Sequence, residues 1–550
     1  MSATDELTRE LSELLAGHYD AMDRISLTGY FRMGATSGGL LTWWNALSGH
    51  APLTEEKLRA FAGTFSRRVR AWTEKNNVPF VEFKTGDTTK HELAEKLQPQ
   101  DPAFTGVFAV FVARASALTW DAYTNPKGKV VLYRPKRGAL VNHYYFHLVD
   151  PQWGHVTIRI CGHPPFPALI MLNAHEWVER TAAREGVSVA KRSNCFVEGS
   201  DLSGVDQIAA RLLAPGAVLG LAEVCERWVY SACLCFGLTR EEQRRSGFAY
   251  QFSVYQIEYS RNLVFASGRE LDEYYQSLVE RIWPALDVPR IKTIFGRRNR
   301  PHLNAGRHLE RRIERTEHDL TVCKLKFARL ELKMYDKGAR VLRIEMIARH
   351  VDDLRCGRQL ARVPEMLRQM RQTLRNFLDV VQAVHQPTLS ARHLDAWAAP
   401  SRRGKKRLAG VDLQKPRMRA VAAGVIALAA NPRGFTAEEL AAQTQRHRPR
   451  LRRKYGVRQA AYDLRKLRAK GLIQRIDRSR RYRVRKAGLR TLAGWFVLRE
   501  KVIKPVLDGV CRPRRGRPRK PLLPPTRLEE HYRTLQQHLH DTLDHLKLAA

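Results

Sequence analysis

Apolar residues in the first hundred positions recur mostly at helical spacing. From Met1 to about Gln98 the pattern reads as helix, with Trp43, Trp44, Phe61, Phe65 and Trp72 placed for burial. Strand character begins at 106–113, where GVFAVFVA is an apolar run of the buried-strand type. Further strands are expected over 130–133, 141–148 and 155–161, with Asp150-Pro-Gln-Trp-Gly154 as a hairpin turn. Helices are expected over 173–184 and 219–236, strands over 252–265, 325–335 and 341–347, and a long amphipathic helix over 364–384. The fold class this predicts is α+β: a multidomain chain with a mixed or antiparallel sheet body and a separate C-terminal module.

Beyond the body the pattern changes. A helix is expected over 417–430, with apolar positions at Met418, Val421, Val425 and Leu428. Thr436 and Glu439 then have capping-box spacing, with Phe435 and Leu440 at the staple positions. A third helix, over 457–470, turns Tyr462, Leu464 and Leu467 inward and leaves Arg458, Arg465, Lys466 and Arg468 outside. A short hairpin follows, its tip basic with Arg478, Arg480 and Arg481. The segment LRKLRAKGLIQRIDRSRRYRV resembles the recognition helix and wing of bacterial winged-helix proteins. That resemblance covers about 413–500 and implies a third helix in the major groove with the hairpin along the backbone. Downstream, Arg514-Arg515-Gly516-Arg517-Pro518-Arg519-Lys520 resembles an AT-hook, which implies Arg515 and Arg517 inserted in a narrow minor groove.

The linker signals divide the chain further. The expected parts are a helical then α/β region over 1–140, an α+β body over 141–390 and a basic linker over 391–412. The DNA-binding module over 413–500, a basic segment over 501–525 and a C-terminal helix over 526–550 complete the list.

Charge adds the partner. The chain has 95 Lys and Arg against 55 Asp and Glu, a formal net charge of +40. From Ser401 to Ala550 there are 40 basic and 11 acidic residues, so +29 lies in that stretch and +11 in the first 400 residues. Such an excess points to a polyanion met by the C-terminal part, double-stranded DNA foremost, with RNA open as the alternative. The start of the chain has no apolar run behind a basic head, and no run of 18 apolar residues occurs, so no membrane partner is expected. The eight cysteines are scattered and read as reduced thiols, so the expected location is the cytoplasm, with the nucleoid.

Two segments of the body carry candidate chemistry. In 253–265, Gln256 and Glu258 alternate onto one face of a strand. In the hairpin around YDKG, the polar face has Glu331, Lys333 and Tyr335, then Arg343 and Glu345. An acidic strand followed by YDKG and LRIE resembles the catalytic core of plasmid and phage rolling-circle replication initiators. The resemblance implies a tyrosine that attacks a DNA phosphodiester, leaving a 5′ phosphotyrosyl link and a free 3′ hydroxyl. It makes Tyr335 the nucleophile, Lys337 a phosphate contact, and Gln256, Glu258 and Glu345 the holders of Mg²⁺ or Mn²⁺. The alternative is an exposed strand face and an ordinary turn. The histidines His143, His147, His155 and His163, with His175 beyond, read either as metal ligands or as packing among aromatics. The expected function is thus a DNA-binding, DNA-nicking protein of mobile-element or plasmid type; the alternatives are a non-enzymatic regulator and an RNA-binding protein.

Overall fold

In the computed structural model, residues 5–84, 90–275, 292–294, 320–327, 330–385, 391–447, 455–499, 503 and 527–545 are described, except 136, 193, 198, 338, 339, 404 and 405. The chain is α+β with a large mixed sheet. It forms two compact units, one of Leu15–Ala266 with Lys326–Arg371, the other of Met1–Leu14, Ser267–Leu325 and Gln372–Ala550.

The first unit is built on β1 (Leu15–Phe31), β2 (Phe80–Phe83), β3 (Gly106–Ala117), β4 (Asp121–Thr124), β5 (Val130–Tyr133), β6 (Ala139–Asp150), β7 (Gly154–Cys161), β8 (Ala168–Asn173) and β9 (Tyr250–Phe265). In the other unit, β10 (Lys292–Ile294) pairs antiparallel with β11 (Leu320–Phe327). β12 (Leu330–Asp336) and β13 (Val341–Ala348) return to the first unit, whose sheet runs β12-β13-β9-β1-β8-β7-β6-β3-β2. Only β2 against β3 is parallel among the registers described. β4 and β5 form a separate hairpin.

The N-terminal reading is corrected here. Residues 15–31 are a strand near the centre of the sheet, paired on one side with β8 and on the other with β9. Its two aspartates, Asp20 and Asp23, are buried by ion pairs with arginines and so hide the apolar alternation of a strand. The boundary expected at 140 falls inside β6, which pairs with β3 from Ala117↔Ala139 to Gly106↔Val149. A cut there would sever that ladder. Residues expected as one strand over 325–335 are two, β11 and β12.

Helices Ala174–Glu185 and Leu202–Ala210 cover one face of β1, with Val178, Ala182, Val205 and Ile208 packed on Tyr19, Ala21, Val264 and Val341. Farther along the sheet, aromatic side chains from the helix Glu55–Lys75 and from 234–236 meet β6: Phe65 lies 4.7 Å from Tyr144, and Phe236 stacks on Phe146 at 5.6 Å. No single helix among the described residues is long and apolar enough to cross a membrane.

In the second unit, part of the stretch read as a basic linker is ordered as the helix Ala391–Ala398 and a hairpin of β14 (Ser401–Arg403) and β15 (Lys406–Leu408). Helices Pro416–Leu428, Ala437–His447 and Val457–Ala469 follow, then a hairpin of β16 (Ile473–Arg475) and β17 (Tyr482–Val484), then the helix Lys486–Leu498. The capping box forms as its spacing requires: Glu439 N–H donates to Thr436 Oγ1 at 3.2 Å, and Thr436 N–H to Glu439 Oε2 at 2.7 Å. Phe435 makes a bridge with Tyr482, tying the hairpin back to the segment between the first two helices. Gly434 permits this approach, since at φ +66° a Cβ there would lie 2.3 Å from the Tyr482 carbonyl oxygen. The helix Arg527–His545 ends the described chain.

Candidate functional site

Strand register gathers the chemistry-bearing residues of the body. Lys333 on β12, Glu345 on β13 and Ser260 on β9 lie in one cross-strand row, and Tyr335, Arg343 and Asn262 in the next. Directly opposed residues share a face, so both rows project to the same side of the sheet. Glu258 and Gln256 continue that face along β9, and Gln256 Nε2 donates to Glu258 Oε1 at 2.7 Å. Lys333 Nζ lies 3.5 Å from Glu345 Oε2. The residues expected at the site, Gln256, Glu258, Glu345 and Tyr335, therefore stand on one face of three neighbouring strands.

β1 adds a residue that the sequence reading missed. The pairing of β1 with β9 shifts register between Met22 and Ile25, an extra residue in β1 that marks a bulge. Asp23 sits in it and accepts from Ser260 Oγ at 3.0 Å and from Arg343 Nη2. Arg343 is fully buried and donates also to Ser260 Oγ at 3.2 Å and to the Asn194 carbonyl at 3.0 Å. His175, in the first turn of its helix, brings Nδ1 to 3.3 Å from Asp23 Oδ1. Its imidazole is wholly buried and held well below the usual histidine range by desolvation, then by Arg343, so the pair is a contact of a neutral ring and not an ion pair.

The electrostatics follow from burial. Desolvation raises Glu258, and the neighbouring carboxylate of Glu345 raises it further. Asp23 is likewise raised by burial, against the pull of Arg343 and with Glu345 and Glu258 adding to the rise. Tyr335 is half-buried, and burial pushes its phenol up, with Arg343 opposing. Lys337 is lowered by burial and by Arg343. Asp23 Oδ2, Asn262 Oδ1 and His175 Nε2 are buried without a hydrogen-bond partner. Unsatisfied buried polar atoms are costly, so each of these three is a place where a further donor or acceptor would be stabilising.

Oxygen donors of this kind suit Mg²⁺ or Mn²⁺. Among the described residues, no three His, Cys, Asp or Glu side chains are gathered to hold an ion. Glu258 and Glu345 would hold one with the Gln256 amide oxygen only after two changes. Lys333 has to leave Glu345, and Gln256 has to turn its oxygen, not its nitrogen, toward the ion.

Of the histidines, His147 and His155 meet, Nδ1 to Nε2 at 3.1 Å, with Thr157 Oγ1 at 3.2 and 3.4 Å. His143 turns its Nδ1 to the Val141 carbonyl instead, and His175 belongs to the Asp23 cluster. The set does not converge.

In the C-terminal module, Arg458, Arg465, Arg478 and Arg480 are exposed and Arg468 is half-exposed. Two residues correct the sequence reading. Lys466, expected outside, is 4% exposed; it lies 3.7 Å from the buried Asp463, which also takes Arg417 at 3.0 Å and the Tyr455 hydroxyl at 3.1 Å. Burial of Asp463 requires those partners, and that demand draws Lys466 inward. Arg481 is held by Glu439 at 3.2 Å and by the carbonyls of Arg433 and Gly434 at 2.8 and 3.0 Å. It braces the hairpin against the second helix. Arg515 and Arg517 lie outside the described residues.

Comparison with known proteins returns no matching family model, no matching curated sequence and no matching solved structure.

Proposed function

We propose that this chain binds double-stranded DNA through its C-terminal module, acting as a winged helix, and nicks it on the sheet face that holds Tyr335. The observation that carries the reading is the register of β12, β13 and β9, which aligns Lys333, Glu345 and Ser260, then Tyr335, Arg343 and Asn262, beside Glu258 and Gln256. Residues drawn from distant stretches of sequence meet there, and the resemblance to rolling-circle initiators is what gives them nicking roles. In that reading the Tyr335 oxygen displaces the 3′ oxygen from a backbone phosphorus, its proton ends on the departing 3′ hydroxyl, and the 5′ phosphate stays on the tyrosine. Lys337 supplies positive charge beside the phosphate, while Arg343 is committed to Asp23 beneath the face. A divalent cation on Glu258, Glu345 and Gln256 supplies Lewis-acid polarisation when bound.

For the module, the support is three helices, a hairpin anchored through Phe435 and Tyr482, and exposed arginines on the third helix and the hairpin tip. Supercoiled DNA incubated with the protein and Mn²⁺ tests the whole reading. Nicked circles bearing covalently attached protein are expected, and Tyr335→Phe is expected to abolish both. Undiminished nicking by that variant removes Tyr335 from the role.

A second reading, a DNA-binding regulator without nuclease activity, has its own support. Glu345 is neutralised by Lys333 and Glu258 accepts from Gln256, so both acids already have partners within the fold. Tight site-specific binding with no cleavage in any divalent metal would favour it.

A further inference from the structure

We propose that the β4–β5 hairpin is a platform for single-stranded nucleic acid, which stacks its bases on Tyr123 and Tyr133. The inference rests on the nucleic-acid part of the proposed function and not on its nicking chemistry.

Alternation along the hairpin puts Asp121, Tyr123, Val131 and Tyr133 on one side and Ala122 and Leu132 on the other. Ala122 is buried, so the second side is the packed one. The first side faces outward: Tyr123 is 54% and Tyr133 41% exposed, their rings edge to face with centroids 5.7 Å apart. Nearby in sequence, Leu118 and Leu140, at the two ends of the segment, are 61% and 50% exposed. Aromatic rings of this size are usually buried, and two exposed together on one short hairpin call for a partner with flat faces of its own.

The rest of the hairpin says which partner. Between Leu118 and Leu140 there are five Lys and Arg against the single acid Asp121. The tip is a tightly bonded loop. Asn125 Oδ1 accepts from the Lys127 and Lys129 amides at 3.0 and 2.9 Å, and Gly128 takes φ +75°. Its lysines are left exposed. At the base, Trp120 Nε1 and Arg134 Nη2 both donate to the Gly34 carbonyl, at 2.8 and 2.6 Å, and the guanidinium of Arg134 lies 4.4 Å over the Trp120 ring. The platform is therefore fixed to the body before any ligand arrives, which lowers the cost of binding.

Exposed rings beside lysines are the means by which proteins hold single strands without reading sequence: bases stack on the rings and phosphates meet the cations. A duplex offers only edges and phosphates, because its base faces are already stacked on one another. Occupancy by an unpaired strand also fits a protein that opens or nicks a duplex elsewhere on its surface.

The test uses the full chain, an end-labelled oligothymidylate of about 20 nucleotides and a duplex of equal length, with fluorescence anisotropy at fixed salt. The Tyr123→Ala/Tyr133→Ala double variant is expected to lose about tenfold or more in single-strand affinity and to keep its duplex affinity. Tyr123→Phe/Tyr133→Phe retains stacking and is expected to bind as the parent does; circular dichroism checks that each variant is folded. Equal losses on both ligands, or an unchanged single-strand affinity in the alanine variant, would overturn the platform. Failure of wild-type protein to bind oligothymidylate would also overturn it. Absence of nicking, or activity in Tyr335→Phe, leaves it standing, so the two readings fail separately.

Discussion

Arg343 reaches from β13 over β9 to donate to Asp23 on β1, and both side chains are buried. Charges taken out of water survive only while paired, and breaking such a pair by removing one member typically costs about 3–5 kcal/mol. Arg343→Leu is therefore expected to destabilise the protein by that amount in urea unfolding. The double variant Arg343→Leu/Asp23→Leu removes both charges and is expected to cost clearly less than the sum of the two single changes. Additive losses would mean that the contact contributes no coupling.

Lys333 competes with any cation for Glu345, because its ammonium lies 3.5 Å from the carboxylate. If Glu258 and Glu345 hold a metal ion, Lys333→Met should tighten the half-saturating Mn²⁺ concentration several-fold. Glu345→Gln, which removes the charge, should weaken it by about tenfold or more. Calorimetric titration of the full chain with Mn²⁺ reads both, independently of any cleavage. An unchanged titration in both variants would separate these acids from metal binding.

What was legible in the sequence follows from where the apolar pattern is regular. β3, β6, β7 and β9 announce themselves because their apolar runs are long and end in turn residues. The C-terminal helices are equally plain, since Thr436, Glu439 and Phe435 mark a boundary by chemistry that acts within a few residues. β1 was illegible for the opposite reason: Asp20, Asp23 and Arg24 stand inside a central strand, and the arginines that pair with the two aspartates, Arg261 and Arg343, are more than two hundred residues away. The same distance hid Asp23 from the candidate site. Lys466 shows the limit of helical periodicity. Its position marks it as peripheral, and only the buried Asp463 explains why it turns in.

The arginines of the C-terminal module divide into those available to phosphate and those already used. Arg458 and Arg465 are exposed, two turns apart on one helix, whereas Lys466 and Arg481 hold acids within the fold. Each phosphate contact adds roughly 0.9 to the salt slope of duplex binding. Arg458→Ala/Arg465→Ala is expected to lower that slope by about 2 while leaving thermal stability near the parent's. Lys466→Met should do the reverse, lowering the melting temperature with little change in slope. A fall in slope for Lys466→Met would mean that it reaches DNA after all.

His147 and His155 give the body a dependence on acid. Burial holds His147 at about 3, with His155 and His91 adding to the depression, and holds His155 at about 4. Phe108 and Phe111 pack on the His147 ring at 6.1 and 4.5 Å, Thr157 is hydrogen-bonded to it, and Glu176 is the acid that acts on His155. In the unfolded chain both imidazoles titrate near 6.5, so below that pH the unfolded state binds protons that the folded state refuses. The stability these rings contribute is present above about pH 6.5 and is lost as the pH falls through that value toward 3. For His147 alone the full loss is on the order of 5 kcal/mol, reduced by whatever the neighbouring ring shares. His147→Phe keeps an aromatic ring against Phe108 and Phe111 but cannot take up a proton. Urea unfolding between pH 7 and 4 is expected to show a shallower decline for this variant than for the parent, and parallel declines would show that acid acts elsewhere.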